Sequence, residues 1–569
     1  MTTPPRSSRT TPPGTPRPSA ERLGFAALVL LSLAPMLGAG LWRPLASAWQ
    51  LEVDALGLGV AAVAAAAAAL LARSLLPKSG LWLAALPTLP SALLLARSTG
   101  ELLSVSGVLL GVAALVATLT PALLQRLPPA LDGLAAGRRG IALCMALLGV
   151  LAVSTTTRLS AFMADASRTE LSLAPDVPFL VHHSCLTAYV EGAVLANARV
   201  DNLYDAARWP DLNGTAGAPP SLSGPYAPFP LDAFAYPPQF LLLPQATLLW
   251  LPDFAAQRTV WFALHGLFIA LGLGIVATWL GGRAGLRALM LSPLVWVSPP
   301  LLFTLQTGNA HAVVVVIAML SLVAFSTRRP ALGGALLAFA ILAKVSPGLL
   351  VLVLLIRGRF VEVLWTAAFG VGFTLVTLAV VGPAPVEAFL VYELPRLGSG
   401  EALKFLAENE SIPINLAPFA LPFKLAFLGV DIADPWAVAR TINRIFTVAL
   451  VGATLWAARE DRGPRATAVL WAAVLTLGAL RSPLAPGYVV FSLLWLLALR
   501  AEDVRSRWGA AGLAALWFAL SWLPPFPLEQ LVPYSLVQQA VLLGAAVLLL
   551  LRPPAPGPAP CAPASVPAH

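Results

Sequence analysis

The stretch FLVHHSCLTAYVEGA, Phe179 to Ala193, holds two of the chain's five histidines, one of its three cysteines and the acid Glu191. The chemistry such a set can do is proton transfer. An imidazole with an ordinary pKa near 6.5 takes a proton at neutral pH, which makes His183 a candidate general base. Glu191 lies on roughly the same face if one helix runs through both, and could orient the ring; Asp201 and Asp205 are alternative acids nearby. The competing reading is that His182 and His183 are interfacial polar residues without a chemical role. Two cations offer a second chemistry. Lys344, in AKVSP within an apolar run, and Arg481, in RSPLAPGY, could each hold a phosphate; the bland alternative for both is anchorage to headgroups. His265, alone in an apolar segment, reads as a packed core histidine, and His311, just behind Asn309, as a candidate ligand contact.

What these groups can do depends on their solvent. Of 569 residues, 58% are apolar and 11% charged, against about a quarter charged in ordinary soluble domains. Apolar runs such as LGFAALVLLSLAPMLGAGLW and FVEVLWTAAFGVGFTLVTLAVVG have the roughly 20-residue length that spans a bilayer. The fold class expected is therefore all-α, a polytopic integral membrane protein. The net charge of +9 comes from short basic clusters between apolar runs and not from one basic face, so nucleic acid is not a partner. Cys144, Cys185 and Cys561 form no metal or disulfide spacing.

The elements that must position the site follow from the spacing. Residues 1–22 and 553–569, rich in Pro, Ser, Thr and Ala, read as disordered tails, and the long basic start argues against a cleaved signal peptide. Apolar segments over 23–157 give five crossings. The positive-inside rule, applied to Arg6, Arg9, Arg17, Arg22, Arg73, Lys78, Arg126, Arg138 and Arg139, puts the N-terminus in the cytoplasm. A large loop over 158–235 then lies outside, carrying an expected amphipathic helix over CLTAYVEGAVLANARV along the interface. A transmembrane bundle fills 236–552, interrupted by an outer loop at 382–436. Placing Arg328, Arg329, Arg357, Arg359, Arg459, Arg462, Arg505, Arg507 and Arg552 inside requires 330–356 to be a broken hairpin bent near Lys344 and Pro347. It also requires an odd number of crossings between Ala235 and Arg283, with YPPQFLLLPQATLLWLP as a re-entrant or surface-lying element. The large loop, LQTGNAH at 305–311, the 382–436 loop and RSPLAPGY then share one face, where a pocket is expected.

No Walker A, GxGxxG, HExxH or GxSxG sits in a suitable strand-turn-helix context. In contrast, EGAVLANARVDNLYD, FAYPPQFLLLP, GNAH, AKVSPGLLVLVLLIRGRF, ENESIPI and RSPLAPGY, in this order from about Tyr189 to Leu499, resemble glycosyltransferase family 87. These are bacterial enzymes described as polyprenol-phosphate-mannose-dependent α-(1→2)-mannosyltransferases, within the C-type glycosyltransferase superfamily.

The resemblance implies a C-type glycosyltransferase-like helical bundle in the cytoplasmic membrane with its active site facing outward. It implies inverting transfer of a hexose, mannose above all, from a polyprenyl phosphate donor to a glycan or glycolipid acceptor, and it carries Tyr236, Asn309, Lys344, Asn409 and Ser482 over as motif positions. Arg481 is a second phosphate candidate beside Lys344. Families of this kind keep an aspartate base in the first large outer loop; counting back from Tyr189 and Tyr204 gives His183, Ser184 or Cys185 instead. No paired acids stand there, so neither a metal nor another cofactor is expected. A lipid-linked glycan flippase would show intramembrane charges and repeated halves, of which the sequence offers little. A lipid-binding member without catalysis is the other alternative, kept open by the missing aspartate.

Overall fold

Lipid cannot hydrogen-bond a peptide group, so apolar runs of this kind close their backbone bonds internally as helices. The computed structural model describes residues 152, 155–173, 177–209, 224–503, 507–521, 527–552 and 554. Both tails and nearly all of the five N-terminal apolar segments, with Cys144, lie outside the described residues. What is described is an all-α polytopic membrane protein.

A short helix α1 (Pro178–His182) precedes α2 (Leu186–Asn197), and α3 (Leu242–Thr247) follows a 3-10 turn at Pro238–Leu241. The bundle continues with α4 (Phe254–Leu280), α5 (Gly282–Trp296), α6 (Pro299–Thr307), α7 (His311–Ser326), α8 (Pro330–Ala343), α9 (Leu349–Ile356) and α10 (Phe360–Val380). After a loop of short helical turns come α11 (Pro435–Ala458), α12 (Pro464–Leu480), α13 (Val490–Arg500), α14 (Arg507–Ser521) and α15 (Leu528–Leu551). At about 1.5 Å per residue, α4, α10, α11 and α15 each reach or exceed a hydrocarbon core. Helices α5 and α6 do so together, bent by 58° where Pro299 denies a helical conformation to the residue before it. On α10, Phe360 is 66% and Leu364 69% exposed, a face suited to lipid and not to water.

Two clusters of contacts fix the direction of every helix from α4 on. At one end, Arg287 donates to the carbonyls of Ala501 and Glu502, Arg500 to that of Arg552, and Arg465 pairs with Asp503 at 2.8 Å. At the same end Arg357 reaches the Ala458 carbonyl and the Thr467 hydroxyl, and Arg359 the Phe325 carbonyl. The last contact returns the chain after α9 to the foot of α7, so α8 and α9 form the broken hairpin anticipated from charge, with its bend at Lys344 to Gly348. Gly334 lets α8 press on α10, since a Cβ there would stand 2.6 Å from that of Trp365, the close approach small residues permit in membranes.

At the opposite end Trp261 donates to the Gly308 carbonyl, Cys185 N–H to Thr307 O, and Asn415 to Pro483 O. The 238–252 stretch stays there, with Gln245 bonded to Asn197 at the tail of α2. Between Ala235 and Arg283, α4 is the one helix long and apolar enough to cross a membrane, an odd number as the charge pattern requires. The helix expected to lie amphipathic along the interface is instead packed inward: Leu186, Thr187, Ala188, Tyr189, Val190, Gly192, Ala193 and Ala196 of α2 are all buried. Apart from Glu191 and the terminal Asn197 its residues are apolar or weakly polar with no distinct polar face, and such a helix goes to a core rather than to a boundary.

Candidate functional site

The α1–α2 break makes the site. Pro178 starts α1, and His183 ends it in an extended conformation (φ −95°, ψ 135°). Helix α2 then begins only at Leu186. His183 and Glu191 therefore do not share a helical face. Glu191 accepts a hydrogen bond from the Tyr226 hydroxyl at 2.6 Å, whereas the carboxylate facing His183 is that of Asp232, 3.7 Å from Nε2. Phe179 stacks on the imidazole with ring centres 4.5 Å apart.

Asp232 is held from both sides. Its N–H donates to Thr187 Oγ1 at 2.9 Å and its Oδ1 accepts from Ala233 N–H at 2.9 Å. Burial pushes its carboxyl above the usual range, against the pull of His183. Sequence reasoning passed over it because it stands at the far end of the loop, although DAFAYPP places an acid directly ahead of the Tyr-Pro-Pro.

The turn between α6 and α7 supplies the opposite wall. Gly308 takes a left-handed conformation (φ +72°), and a Cβ there would lie 3.2 Å from that of Leu186; glycine alone suits both demands. Gln306 accepts from Leu173 N–H at 2.6 Å and donates to the Leu180 carbonyl, tying the loop to α6. Asn309 accepts from His311 N–H with Oδ1, and its Nδ2 points at Cys185 Sγ and the Tyr236 hydroxyl, each at 3.4 Å. Tyr189 donates to the Tyr236 hydroxyl at 2.8 Å, and Tyr204 to the Tyr236 carbonyl at 2.8 Å.

Lys344 follows the last residue of α8. Its ammonium sits 5.6 Å from the Tyr236 ring centre and 5.2 Å from that of Tyr488. It has no hydrogen-bond or ion-pair partner among the described residues. The His311 ring packs 5.4 Å from Tyr488, with a buried Nε2 that has no partner among the described residues. Beside this cluster a shallow apolar depression of about 380 Å³ lies on α10 against the end of α8, lined by Leu342, Ala367, Gly370, Val371, Thr374 and Leu375.

Of the residues singled out from sequence, His183, Tyr236, Asn309 and Lys344 thus come together. Arg481 is exposed and donates to Thr447 on α11 at 3.2 Å. Asn409 is exposed; the asparagine that ties this loop to the site end is Asn415, bonded to Pro483 and, through Oδ1, to the N–H groups of Ala417 and Ala485. His265 is buried against Trp261.

Comparison with known proteins gives one match relevant to this geometry: residues 234–483 fit the family model of glycosyltransferase family 87. No curated protein and no solved structure matches. The matched stretch contains Tyr236, Asn309, Lys344 and Asn415; it begins just after Asp232 and leaves the α1–α2 break outside it.

Proposed function

We propose, from the fit of residues 234–483 to the model of glycosyltransferase family 87, that the chain is a membrane glycosyltransferase that moves a hexose from a polyprenyl phosphate to a hydroxyl of a glycan or glycolipid. Mannose is the sugar that the resemblance favours. This reading puts the reaction on the extracytoplasmic face of the cytoplasmic membrane, and the gathering of Arg287, Arg357, Arg359, Arg465 and Arg500 at the end opposite the site supports it.

The observation that carries this reading is an ammonium without a partner among the described residues, linked through Tyr236, Asn309 and Cys185 to a buried His–Asp couple, beside a shallow apolar depression. The depression's apolar lining suits a prenyl chain lying along it. Lys344, caged by two aromatic faces and unpaired, suits a phosphate, which it meets as a compact cation. In transfer, an acceptor oxygen attacks the anomeric carbon as the bond from that carbon to the phosphate oxygen breaks. The hydroxyl proton passes to the His183–Asp232 couple, and polyprenyl phosphate leaves with its new negative charge against Lys344. One displacement from the face opposite the leaving group inverts the anomeric centre. A buried carboxylate with a raised pKa is a stronger proton acceptor than an exposed one, which is what general base catalysis near neutral pH requires. Here Asp232 takes the orienting role that sequence spacing suggests for Glu191.

Membranes containing the protein, incubated with radiolabelled polyprenyl-phosphate-mannose and a native glycolipid extract, should yield a labelled saccharide whose linkage is cleaved by an α-mannosidase. Donor binding without any labelled product would favour a lipid-binding protein and overturn the proposal.

A further inference from the structure

The α1–α2 break brings together three side chains that never appear as a motif: His183, Cys185 and Asp232, whose donor atoms all lie within 4.8 Å of one another. We infer that His183 Nε2, Cys185 Sγ and the Asp232 carboxylate bind one divalent metal ion of the zinc class, with a fourth position open to a small ligand. This runs against the metal independence expected from the sequence, where the acid is far along the chain from the histidine and no spacing links them.

The distances argue for it. Tetrahedral zinc with Zn–N near 2.0 Å, Zn–O near 2.1 Å and Zn–S near 2.3 Å separates its ligand atoms by about 3.3 to 3.6 Å. The two measured edges are 3.4 Å from Cys185 Sγ to His183 Nε2 and 3.7 Å from that nitrogen to Asp232 Oδ2. The donor set points the same way. A thiolate with an imidazole selects zinc-like ions, whereas magnesium and calcium take oxygen ligands. Outer contacts hold each ligand: Asn309 Nδ2 against the sulfur, Thr187 against the Asp232 backbone, and Phe179 stacked on the imidazole. The His183 and Asp232 side chains remain 12% and 16% exposed, which leaves an ion a way in. Binding converts the Cys185 thiol to a metal thiolate and releases one proton to solvent.

A consequence rests on the proposed transferase reading: an ion there occupies the lone pairs that would receive the acceptor's proton, so excess zinc stops transfer and a chelator restores it.

The binding itself is tested without an activity assay. The full-length chain with Cys144→Ala and Cys561→Ala, leaving Cys185 as its one thiol, is purified in detergent and titrated with cobalt(II). One equivalent should bind and produce the near-ultraviolet sulfur-to-cobalt charge-transfer band that only a coordinated thiolate gives, and zinc should erase it. Cys185→Ser should abolish the band. Asp232→Asn, which keeps the thiol and the local volume, should raise the cobalt dissociation constant more than about tenfold, the size of effect that loss of an outer contact already causes. Absence of the band in the parent, or binding unchanged in Asp232→Asn, overturns the metal site and leaves the base assignment standing. A cobalt band together with transfer indifferent to zinc keeps the metal site and removes the His183–Asp232 couple from proton transfer.

Discussion

Two lysines are enclosed by this bundle, and their surroundings differ in one respect. Lys424, with no exposed surface, donates to Ser535 Oγ and Gln539 Oε1, each at 2.8 Å, and reaches the Ser535 carbonyl at 3.4 Å. Gln539 in turn donates to the Ala417 carbonyl. All three ammonium protons are accounted for, and the group ties the loop after α10 to α15. Lys344 has two aromatic faces and, among the described residues, no acceptor. A buried polar group is ordinarily satisfied, so burial by itself does not mark function; a cation whose neighbours leave its protons unused does. Glu191 and Asp232 differ instead in company: Glu191 is paired with Tyr226, whereas Asp232 clusters with His183 and Cys185.

The comparison can be broken in stages. Loss of the proton-accepting couple should do most: Asp232→Asn and His183→Ala should each lower kcat about 10²- to 10⁴-fold, the usual worth of a positioned base. Glu191→Gln should leave kcat within a few-fold, and equal losses at Glu191 and Asp232 would erase the distinction drawn here. Next, Lys344→Ala should raise the donor KM by about 10- to 100-fold, since a charge-assisted contact to phosphate contributes about 1.5–3 kcal/mol. Lys424→Met should leave donor KM alone and instead lower thermal stability by about 1–3 kcal/mol, because Ser535 and Gln539 lose their donor. A KM effect at Lys424 would show that satisfaction by hydrogen bonds is no guide to role.

A smaller effect concerns pH. Glu393, buried in the π-helical turn Phe389–Glu393 of the loop after α10, has its carboxyl pushed up to about 7 by burial, opposed by Arg396 at 3.2 Å. A folded pKa above the unfolded value of roughly 4.3 means the folded state holds its proton longer. This contribution to stability is complete below about pH 4 and is lost as pH rises to about 7. Melting temperatures of the wild type should therefore fall across that window more steeply than those of Glu393→Gln; parallel curves would contradict the burial argument. Least of all, Arg481→Ala should alter donor KM by less than about twofold, as an exposed contact to one hydroxyl contributes little.

Much of this architecture was legible in the chain because lipid imposes strong rules. Apolar length announced the helices, and the arginine pairs at 328–329 and 357–359 required the hairpin that α8 and α9 form. Lys344 could be singled out because a charge in an apolar run stands out, whereas Tyr236 and Asn309 came from the family resemblance. The path of α2 could not be foreseen, since its sequence, with Glu191 its one charge, has no distinct polar face to read and its burial depends on partners remote in sequence. Asp232 was missed for a related reason. Its neighbour His183 is brought to it by a helix break and by Gln306 and Asn309, and no local periodicity records such a contact. Asn409 and Asn415 show the limit from the other side: both sit in one polar loop, and only packing against 483–486 decides which asparagine is buried.

The central claim is that His183 and Asp232 accept the acceptor's proton in a site that Lys344 serves through the donor phosphate. Single-turnover transfer by purified Asp232→Asn, with labelled polyprenyl-phosphate-mannose at saturation, separates chemistry from binding. The account predicts wild-type donor affinity with the transfer step slowed by about 10²-fold or more. An unchanged rate of product formation would contradict it.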